Sequence, residues 1–465
     1  MENFGHSLKA PSYRIQPKTS EEIYEAFQLA RKMGLTVNAR GGGRSYNDAA
    51  LNGGGILLDM SAMNRILEWD SATGVVRCEP GVTLQNLWEK VLPDGWWPPV
   101  VSGTMYTTLG GCLAANIHGK NNFRMGPIGE HVVEFTAILP TGAEITCTPT
   151  KNADLFYSMI SGLGMLGIFT SITMQMKKMH SGLLEVHAWP THTLKEHLQS
   201  LEDGAPKYDY IVGWLDTINT IGHGQIHAAN YLHEGEDPNP QKTMQLENQN
   251  LPSRLFGVMP KSLLHYFLTP FANNLGWGLV NTAKYIASLR KSTFRESHAA
   301  FHFLLDYVPL WELSYGRGGL IQHQSFLPKE TALQAWIEML ALAKKQGLPS
   351  YLGVTKRHRP DKFLLTHAVD GFSLALDFKV TDGNRARLYK MLQEYDRIVL
   401  MNGGRFYFAK NSETSAETTR AFLGQETIDR FMKLKKRCDP NGLLESDLYR
   451  RIFCKQQTSS LRARA

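Results

Sequence analysis

Glycine clusters beside hydroxyl and amide side chains are the feature of this sequence that most directly suggests chemistry. The clusters are Gly41–Gly43, Gly53–Gly55, Gly103 and Gly110–Gly111, and the neighbouring polar residues are Ser45, Asn47, Thr104, Thr107 and Thr108. Glycine allows positive φ and a close approach of the backbone, and concave runs of N–H groups suit a pyrophosphate. Any single cluster is better explained as a tight turn. Together, in loops separated by short strands, the clusters predict a phosphate-bearing cofactor.

Two common nucleotide-binding motifs are excluded. A GxGxxG occurs at Gly162, Gly164 and Gly167. It follows a helix-like stretch and precedes a strand, which reverses the order that a dinucleotide-binding Rossmann unit needs. The sequence also contains no GxxxxGK(S/T) phosphate-binding loop.

Histidine pairs at i,i+4 spacing were considered as metal ligands. The pairs are His223/His227 and His298/His302, and neither forms an HExxH motif or has an obvious acidic third ligand. A catalytic zinc site typically has three protein ligands. We therefore expect structural or surface roles for these histidines and no metal site.

Composition bounds the class of protein. A chain of 465 residues predicts two or three domains. The formal charge of +7 is mild for this length. It permits an anionic ligand or an acidic lipid surface, while the lack of a long basic run argues against nucleic acid. The five scattered cysteines predict reduced thiols.

Targeting signals are not evident. The N-terminal MENFGHSLKAPSYRIQP lacks the apolar stretch of a signal peptide, and no run of about 18 apolar residues occurs. We therefore expect a cytoplasmic protein, with contact at the inner face of the cell membrane as an open alternative. The hydrophobic segment 254–290 predicts either ordinary core helices, a hydrophobic entrance or a membrane-facing surface.

Local patterns predict an α+β protein. Residues 20–33 should form a helix with Ser20 as N-cap, and residues 132–148 a hairpin. The sequence pattern changes near residue 181. Beyond it, DYIVGWLDT and GQIHAANYLHE resemble paired strands, and residues 235–253 have the polar composition of a mobile loop.

Several motifs together resemble one known family. They are ARGGGRSYND (39–48), PVVSGTMYTTLGGCLAANIHGKN (99–121), LFYSMISGLGMLGI (155–168), IQHQ (321–324), GGRFYFAK (403–410) and RCDPNGLLESDLYRR (437–451). These motifs resemble the vanillyl-alcohol oxidase and p-cresol methylhydroxylase (PCMH) superfamily of FAD-linked oxidoreductases. The combination of HGKN with YFAK is similar to the branch of decaprenylphosphoryl-β-D-ribose oxidases. The resemblance covers most of the chain.

The resemblance implies a domain organisation. Residues 1–180 would form an FAD-binding domain of PCMH type with two subdomains. Residues 181–384 would form an α+β substrate, or cap, domain built on an antiparallel sheet. Residues 385–460 would return to the FAD and active site.

The resemblance also implies a cofactor site. The FAD contacts carried over are Gly41, Gly42, Gly43, Arg44, Ser45, Tyr46, Asn47, Asp48, Gly103, Thr104, Thr108, Gly110, Gly111, Asn116, His118, Ile168 and Tyr407. Related sugar oxidases often carry a histidine directly after the glycines and attach the flavin to it. Arginine stands there in this chain, so we expect non-covalent FAD.

Catalytic and substrate residues follow in the same way. The resemblance implies catalytic roles for Lys410 and His118, with Lys410 acting either as a base or as a cation that holds substrate oxygens. Its aromatic neighbours suggest a partly buried strand. The substrate residues carried over are Tyr46, Lys120, Asn281, Tyr315, Gln322, Gln324, Lys356 and Asp377. Lys356 is the candidate for a substrate phosphate.

The implied activity is oxidation of the C2 hydroxyl of polyprenylphosphoryl-β-D-ribose to the 2-keto sugar. This would be the oxidase half of an epimerase that makes an arabinose donor for cell-envelope polysaccharide, with a short-chain NAD(P)H reductase as partner. The alternative is an aldonolactone or alditol oxidase acting on a small soluble sugar. A third alternative, from a different class, is a basic binding module whose glycines only form turns.

Overall fold

In this computed structural model, which describes residues 1–219, 222–251, 254–255 and 259–454, the first 180 residues alternate short strands and helices. The elements are β1 (Tyr13–Ile15), α1 (Ser20–Met33), β2 (Val37–Arg40), β3 (Ile56–Asp59), β4 (Ile66–Asp70), β5 (Val75–Cys78), α2 (Leu84–Val91), β6 (Trp96–Trp97), α3 (Leu109–Ala114), α4 (Asn122–Met125), β7 (Val132–Ile138), β8 (Glu144–Cys147), α5 (Ala153–Met159), β9 (Ile168–Gln175) and β10 (Lys177–Lys178). Two sheets result. One has the order β1-β3-β2 with parallel neighbours, and the other has the antiparallel order β4-β5-β9-β7-β8.

The local predictions for this part largely agree with the structure. Helix α1 spans the predicted residues 20–33, and β7 and β8 form the predicted hairpin. The N-cap is Thr19 and not Ser20, because the Thr19 side chain accepts a hydrogen bond from the Glu22 N–H. Gly162, Gly164 and Gly167 lie between α5 and β9, which confirms the helix-to-strand order that excludes a Rossmann motif.

The middle of the chain is built on one large sheet. Its elements are β11 (Leu183–Thr191), α6 (Leu194–Gly204), β12 (Tyr210–Leu215), β13 (Gly224–Tyr231), α7 (Pro240–Thr243), β14 (Arg254–Leu255), β15 (Met259–Pro260), α8 (Leu264–Leu268), α9 (Asn274–Ser288), β16 (Ser292–Ser297), α10 (His298–His302), β17 (Leu320–Pro328), α11 (Ala332–Gln346), β18 (Leu352–His358) and β19 (Gly371–Lys379). The predicted pairing of β12 with β13 is confirmed. Along the sheet the strands run β16-β11-β13-β12-β18-β19-β17, all with antiparallel neighbours.

The C-terminal part joins both earlier parts. Its elements are α12 (Arg385–Met401), β20 (Arg405–Phe406), α13 (Ala416–Leu423), α14 (Gln425–Cys438) and α15 (Asp447–Ile452). Strand β20 adds an eighth strand to the large sheet beside β17. At the other end, the Gly53 N–H donates to Asp447 Oδ1 at 2.9 Å. The α+β class is confirmed, whereas the domain boundaries at 180 and 384 stay a prediction.

The polar segment 235–253 is more ordered than predicted over its described residues. It contains α7 and a 3-10 turn at Leu246–Gln249. The buried Gln249 side chain donates to the carbonyls of Gly182 (2.8 Å) and Thr243 (3.0 Å). Polar side chains that bond to backbone groups can order a segment that lacks apolar residues.

The histidine pairs have structural surroundings. His298 and His302 are buried against Trp97, and His223 stacks on Tyr285 with ring centroids 4.1 Å apart.

Across the described part of the chain, every helix is too short or too polar to cross a bilayer.

Candidate active site

A large cavity lies between the glycine loops of the first domain and the eight-stranded sheet. It encloses about 1660 Å³ of space, counting the part open to solvent. Its wall includes residues 41–46, residues 102–104, Tyr407 and Lys410, together with side chains from β17, β18 and β19. The cavity therefore connects the glycine loops with the large sheet.

The three consecutive glycines allow two loops to meet. A Cβ on Gly41 would lie 2.0 Å from Thr108 Oγ1, and a Cβ on Gly42 would lie 2.4 Å from the Tyr106 carbonyl. Gly43 adopts φ +64°, which strains other residues. Gly41 and Gly42 are therefore needed because they pack directly against the loop at Tyr106–Thr108. The sequence did not reveal this contact between two protein loops.

Arg44 sits at the rim of this glycine loop between two aromatic rings. Its guanidinium carbon lies 5.3 Å from the ring centroids of both Phe4 and Tyr106. Its buried Nε has no hydrogen-bond partner within the described ranges. A planar guanidinium held in place by ring stacking is well suited to an anionic group such as a phosphate.

Lys410 lies in a turn that follows β20, and not in a strand as its neighbours suggested. Its Nζ is 3.7 Å from the centroid of the Tyr46 ring, and the Tyr46 N–H donates to the Ala409 carbonyl at 2.9 Å. Burial lowers the pKa of Lys410 to about 7, although Asp377 opposes the shift. Lys410 can therefore exchange a proton near neutral pH.

Asp377 lies behind the cavity wall, next to Gln322. The Gln322 amide donates to Asp377 Oδ1 at 2.5 Å, and Oδ2 has no hydrogen-bond partner among the described residues. Burial raises the pKa of Asp377 to about 6. The carboxylate can thus stabilise a charged Lys410 and orient Gln322, which does line the cavity.

His118 is enclosed by other polar and aromatic groups. The Gln324 amide nitrogen lies 3.3 Å from His118 Nε2, and Lys356 Nζ lies 3.5 Å from Nδ1. Burial, and then the charge of Lys356, hold the pKa of His118 well below its usual range. At neutral pH this imidazole is uncharged. Of the two side chains, Lys410 has the pKa closer to neutral pH, so Lys410 is better suited as the proton acceptor.

Partly buried lysines concentrate at the His118 end of the cavity. Burial lowers the pKa of Lys120 to about 7 and that of Lys356 to about 8. The Lys120 Nζ also donates to the Phe301 carbonyl. Of the described residues that line the cavity, none is Asp or Glu, whereas four are Lys or Arg. This wall is suited to an anionic ligand.

Eight residues carried over from the resemblance do not line the cavity. They are Asn47, Asp48, Gly110, Asn116, Ile168, Asn281, Tyr315 and Asp377. Two of them pack elsewhere: Ile168 lies in the core with Ile138, and Asn281 donates to Asp216 Oδ1 at 3.1 Å. Tyr315 lies behind the cavity wall, in one hydrophobic cluster with Tyr46 and Tyr351. Contact of these eight with FAD or substrate stays a prediction.

Gly110 and Asn116 shape the α3 turn. A Cβ on Gly110 would lie 2.8 Å from Pro80 Cβ, and Asn116 at φ +46° accepts a hydrogen bond from the Gly129 N–H at 3.0 Å. These contacts hold α3 in place, and Gly111, on the same helix, lines the cavity.

Asn47 and Asp48 tie the glycine loop to the C-terminal part. The Asn47 amide donates to the carbonyls of Phe408 (2.5 Å) and Asn411 (3.2 Å). Arg451 donates to both oxygens of Asp48, at 2.6 and 2.9 Å. The residues on either side of Lys410 are thereby fixed to the loop that begins with the glycines.

Replacing Arg451 by methionine should loosen this connection. A hydrogen bond to a charged group contributes about 1.5–3 kcal/mol, so we expect the free energy of unfolding to fall by about 2 kcal/mol and flavin to be lost more readily. Thermal unfolding and flavin retention on gel filtration measure both. The matched control is Arg437→Met, because the pair of Arg437 with Asp154 is half exposed at 2.7 Å and should contribute about 0–1 kcal/mol. Equal losses in the two variants would contradict the role given to Arg451.

A buried cluster behind β17 was missed from the sequence. His323 Nε2 lies 3.3 Å from Asp396 Oδ1 and 3.8 Å from Glu413 Oε1. Burial raises the pKa of Glu413 to about 7 and that of Asp396 to about 8. The alternation of β-strand side chains would have placed His323 of IQHQ on the face opposite Gln322 and Gln324. Its partners come from distant parts of the chain and carried no such signal.

The 304–307 turn also contributes unexpectedly. The Thr104 hydroxyl donates to Asp306 Oδ1, and the Met105 N–H donates to Oδ2, both at 2.7 Å. The neighbouring Leu304 and Leu305 line the cavity. Asp306 thus holds the loop that contains Gly103 and Thr104. This loop fits a cofactor that carries a pyrophosphate, as does the Arg44 Nε, which has no hydrogen-bond partner among the described residues.

Comparison with known proteins identifies the cofactor. Residues 11–148 match the family described as FAD binding domain. The chain is 32% identical over 466 residues to decaprenylphosphoryl-beta-D-ribose oxidase of Mycolicibacterium smegmatis, covering 96% of each protein. It is 30% identical over 456 residues to L-gulonolactone oxidase of Mus musculus, again covering 96% of each. The chain therefore belongs to the PCMH-type family of FAD-dependent oxidoreductases that includes these sugar-related oxidases.

Proposed function

We propose that the chain oxidises the C2 hydroxyl of a polyprenylphosphoryl-β-D-ribose to the 2-keto sugar. The observation that carries this proposal is the set of partly buried lysines Lys120, Lys356 and Lys410 on a cavity wall whose described residues include no carboxylate. Such a wall favours a substrate that brings its own negative charge. The name of the mycobacterial relative, decaprenylphosphoryl-beta-D-ribose oxidase, supports the same substrate class.

The cofactor is assigned to the glycine-loop end of the cavity. Arg44, Ser45 and the loop at Gly103–Thr108 would hold FAD there, and Tyr407, whose ring lies 5.3 Å from that of His118, would contact it from the C-terminal part. When bound, FAD supplies the acceptor for the hydride of the substrate C–H bond. The sugar would then occupy the end formed by His118, Lys356 and Lys410.

Lys410 is proposed to take the hydroxyl proton. A pKa of about 7 leaves a large fraction of the amine uncharged at neutral pH, which suits a general base. Asp377 would stabilise the ammonium that forms. Uncharged His118 would accept or donate a hydrogen bond at the sugar, and Lys356 would hold the phosphate.

Non-covalent attachment of FAD is a separate prediction. Arg44 occupies the position directly after Gly41–Gly43, where related sugar oxidases often carry the histidine that bonds to flavin, and a guanidinium cannot form that bond. Precipitating the purified protein with acid should release all of the flavin into the supernatant, where its absorbance is measured. Flavin that remains in the protein pellet would show a covalent bond.

The proposed substrate is tested by anaerobic flavin reduction. The purified protein is mixed with a synthetic prenyl-phospho-ribose, and separately with free sugars and aldonolactones. We expect the flavin absorbance to fall only with the lipid-phosphate sugar. A fall with a free sugar or lactone, and none with the phosphorylated lipid, would contradict the proposal.

A second candidate function is supported by the mouse relative. The name of that relative, L-gulonolactone oxidase, fits an aldonolactone or alditol oxidase acting on a small soluble sugar, and the match covers 96% of this chain. Reduction of the flavin by an aldonolactone alone would favour this candidate. The concentration of lysines at the His118 end favours the phosphorylated substrate instead.

The rest of the pathway follows from the first candidate. A 2-keto sugar must be reduced again to complete an epimerisation, so we propose a short-chain NAD(P)H reductase as partner. The product would be the arabinose donor for a cell-envelope polysaccharide. Action at the cytoplasmic face of the membrane remains part of the same proposal.

A further inference from the structure

The segment around α9 has an unusual distribution of charge. From Asn248 to Arg295 the sequence contains no Asp or Glu, although the whole chain has 43. The same run carries six cations, which are Arg254, Lys261, Lys284, Arg290, Lys291 and Arg295. A basic segment of this kind is attracted to an anionic surface.

Helix α9 is amphipathic, and its apolar side is the one exposed to solvent. Four of its apolar side chains are exposed: Leu275 (76%), Leu279 (60%), Ile286 (61%) and Leu289 (47%). Leu289 is the residue that caps the C-terminus of the helix. Their spacing places them along one side of the helix. A helix that covers a protein core in water normally presents its polar side to solvent. Here the apolar side faces outward.

The opposite side of α9 is the one that contacts the protein. Its buried residues are Gly276, Gly278, Asn281 and Ser288. The Asn281 amide donates to Asp216 Oδ1 at 3.1 Å, and the Trp277 ring stacks on that of Tyr351 with centroids 5.7 Å apart. Small and polar residues thus fix the orientation of the helix and leave the leucines without a partner among the described residues.

The exposed apolar surface extends toward the cavity. Leu263, Tyr266 and Phe271 are exposed in the segment before α9. Lys261 Nζ lies 3.7 Å from the centroid of the Tyr307 ring, which joins this segment to the 304–307 turn. In that turn Leu304 is both exposed and part of the cavity wall.

We propose that α9 and the exposed side chains of Leu263, Tyr266 and Phe271 lie on the surface of an anionic lipid bilayer, with the cavity mouth at Leu304 facing the lipid. Exposed leucines would enter the boundary between headgroups and acyl chains, and the cations Arg290, Lys291 and Arg295 would contact anionic headgroups. A lipid-linked sugar could then reach the cavity while its tail stays in the bilayer. The inference deepens the proposed function and rests on it for that last step.

The test is co-sedimentation of the flavin-loaded full chain with lipid vesicles. Vesicles of phosphatidylcholine with phosphatidylglycerol are compared with vesicles of phosphatidylcholine alone, at low and high salt. We expect binding to the anionic vesicles that high salt weakens. The double variant Leu279→Ser with Ile286→Ser should partition at least about ten-fold less.

The matched control is Met401→Ser. Met401 ends α12 and is 80% exposed, but it lies outside the α9 segment. This variant should bind vesicles as the unchanged protein does. Wild-type binding by the double variant, or equal loss in the Met401 variant, would overturn the inference.

A second measurement separates this inference from the proposed function. Oxidation of a short-chain, water-soluble prenyl-phospho-ribose should be the same in all three proteins. Activity without vesicle binding would overturn the docking surface and leave the substrate proposal standing. Vesicle binding without any sugar oxidation would support the docking surface and contradict the proposed substrate. Loss of a dimer in the double variant, seen by sedimentation velocity and without vesicle binding, would assign the surface to a second copy of the chain.

Discussion

Replacing Lys410 by methionine should slow substrate-driven flavin reduction by about 10²- to 10⁴-fold, the usual contribution of a general base. Methionine keeps the length of the side chain but cannot accept the hydroxyl proton. The substitution leaves Arg44 and the backbone of Gly41–Gly43 in place, so flavin should still bind, and the flavin content of the variant is measured to normalise the rate. Stopped-flow absorbance at the flavin band measures the rate.

The dependence on pH identifies the role of Lys410. Its pKa is lowered to about 7 by burial, so the amine loses its proton as the pH rises through about 7. A base must be uncharged, and the reduction rate should therefore rise with pH through this window and then level off. The methionine variant should lack that step, and Lys345→Met, an exposed lysine on α11, should retain it. A rate that falls over the same window would show that Lys410 acts as a cation.

Replacing Lys356 by alanine should weaken binding of the phosphorylated substrate by about 10- to 150-fold, because a hydrogen bond to a charged group contributes about 1.5–3 kcal/mol. The affinity of an unphosphorylated sugar should change little. Burial lowers the pKa of Lys356 to about 8, so the ammonium is lost above that pH. The affinity of the unchanged protein for the phosphorylated ligand should accordingly fall as the pH rises through about 8.

Binding is measured by titration of the flavin spectrum with a non-oxidisable prenyl phosphate. The matched control is Lys379→Ala, because Lys379 donates to the Ala272 carbonyl and does not line the cavity. Equal weakening of phosphorylated and unphosphorylated ligands in Lys356→Ala would show that this lysine does not recognise the phosphate.

Local patterns predicted much of the fold because they depend on neighbours in sequence. The apolar spacing of residues 20–33 and the turn within residues 132–148 were sufficient to place α1 and the β7–β8 hairpin. The glycine clusters likewise indicated close approach of the backbone. They could not show that Gly41 and Gly42 meet Thr108 and Tyr106, since that contact joins loops distant in sequence.

The motif resemblance located residues near the cavity better than it assigned their contacts. Lys410, His118, Lys120 and Lys356 converge on one wall. Asp48, by contrast, pairs with an arginine about 400 residues away, so the tie between loop and C-terminus is a tertiary effect.

The outward apolar side of α9 was also beyond sequence reasoning. Its hydrophobic residues favoured core packing and left membrane contact as the alternative. Only the burial of Asn281 and its bond to Asp216 decide which side of the helix faces the protein.

The proposed reaction removes hydrogen from C2 of a phosphorylated ribose. It is tested most directly by anaerobic flavin reduction with prenyl-phospho-ribose carrying deuterium at C2, compared with deuterium at C3 and with the unlabelled sugar. We expect slower reduction with the C2 label alone, because that C–H bond breaks. Slowing with the C3 label, or no reduction by the phosphorylated ribose at all, would contradict it.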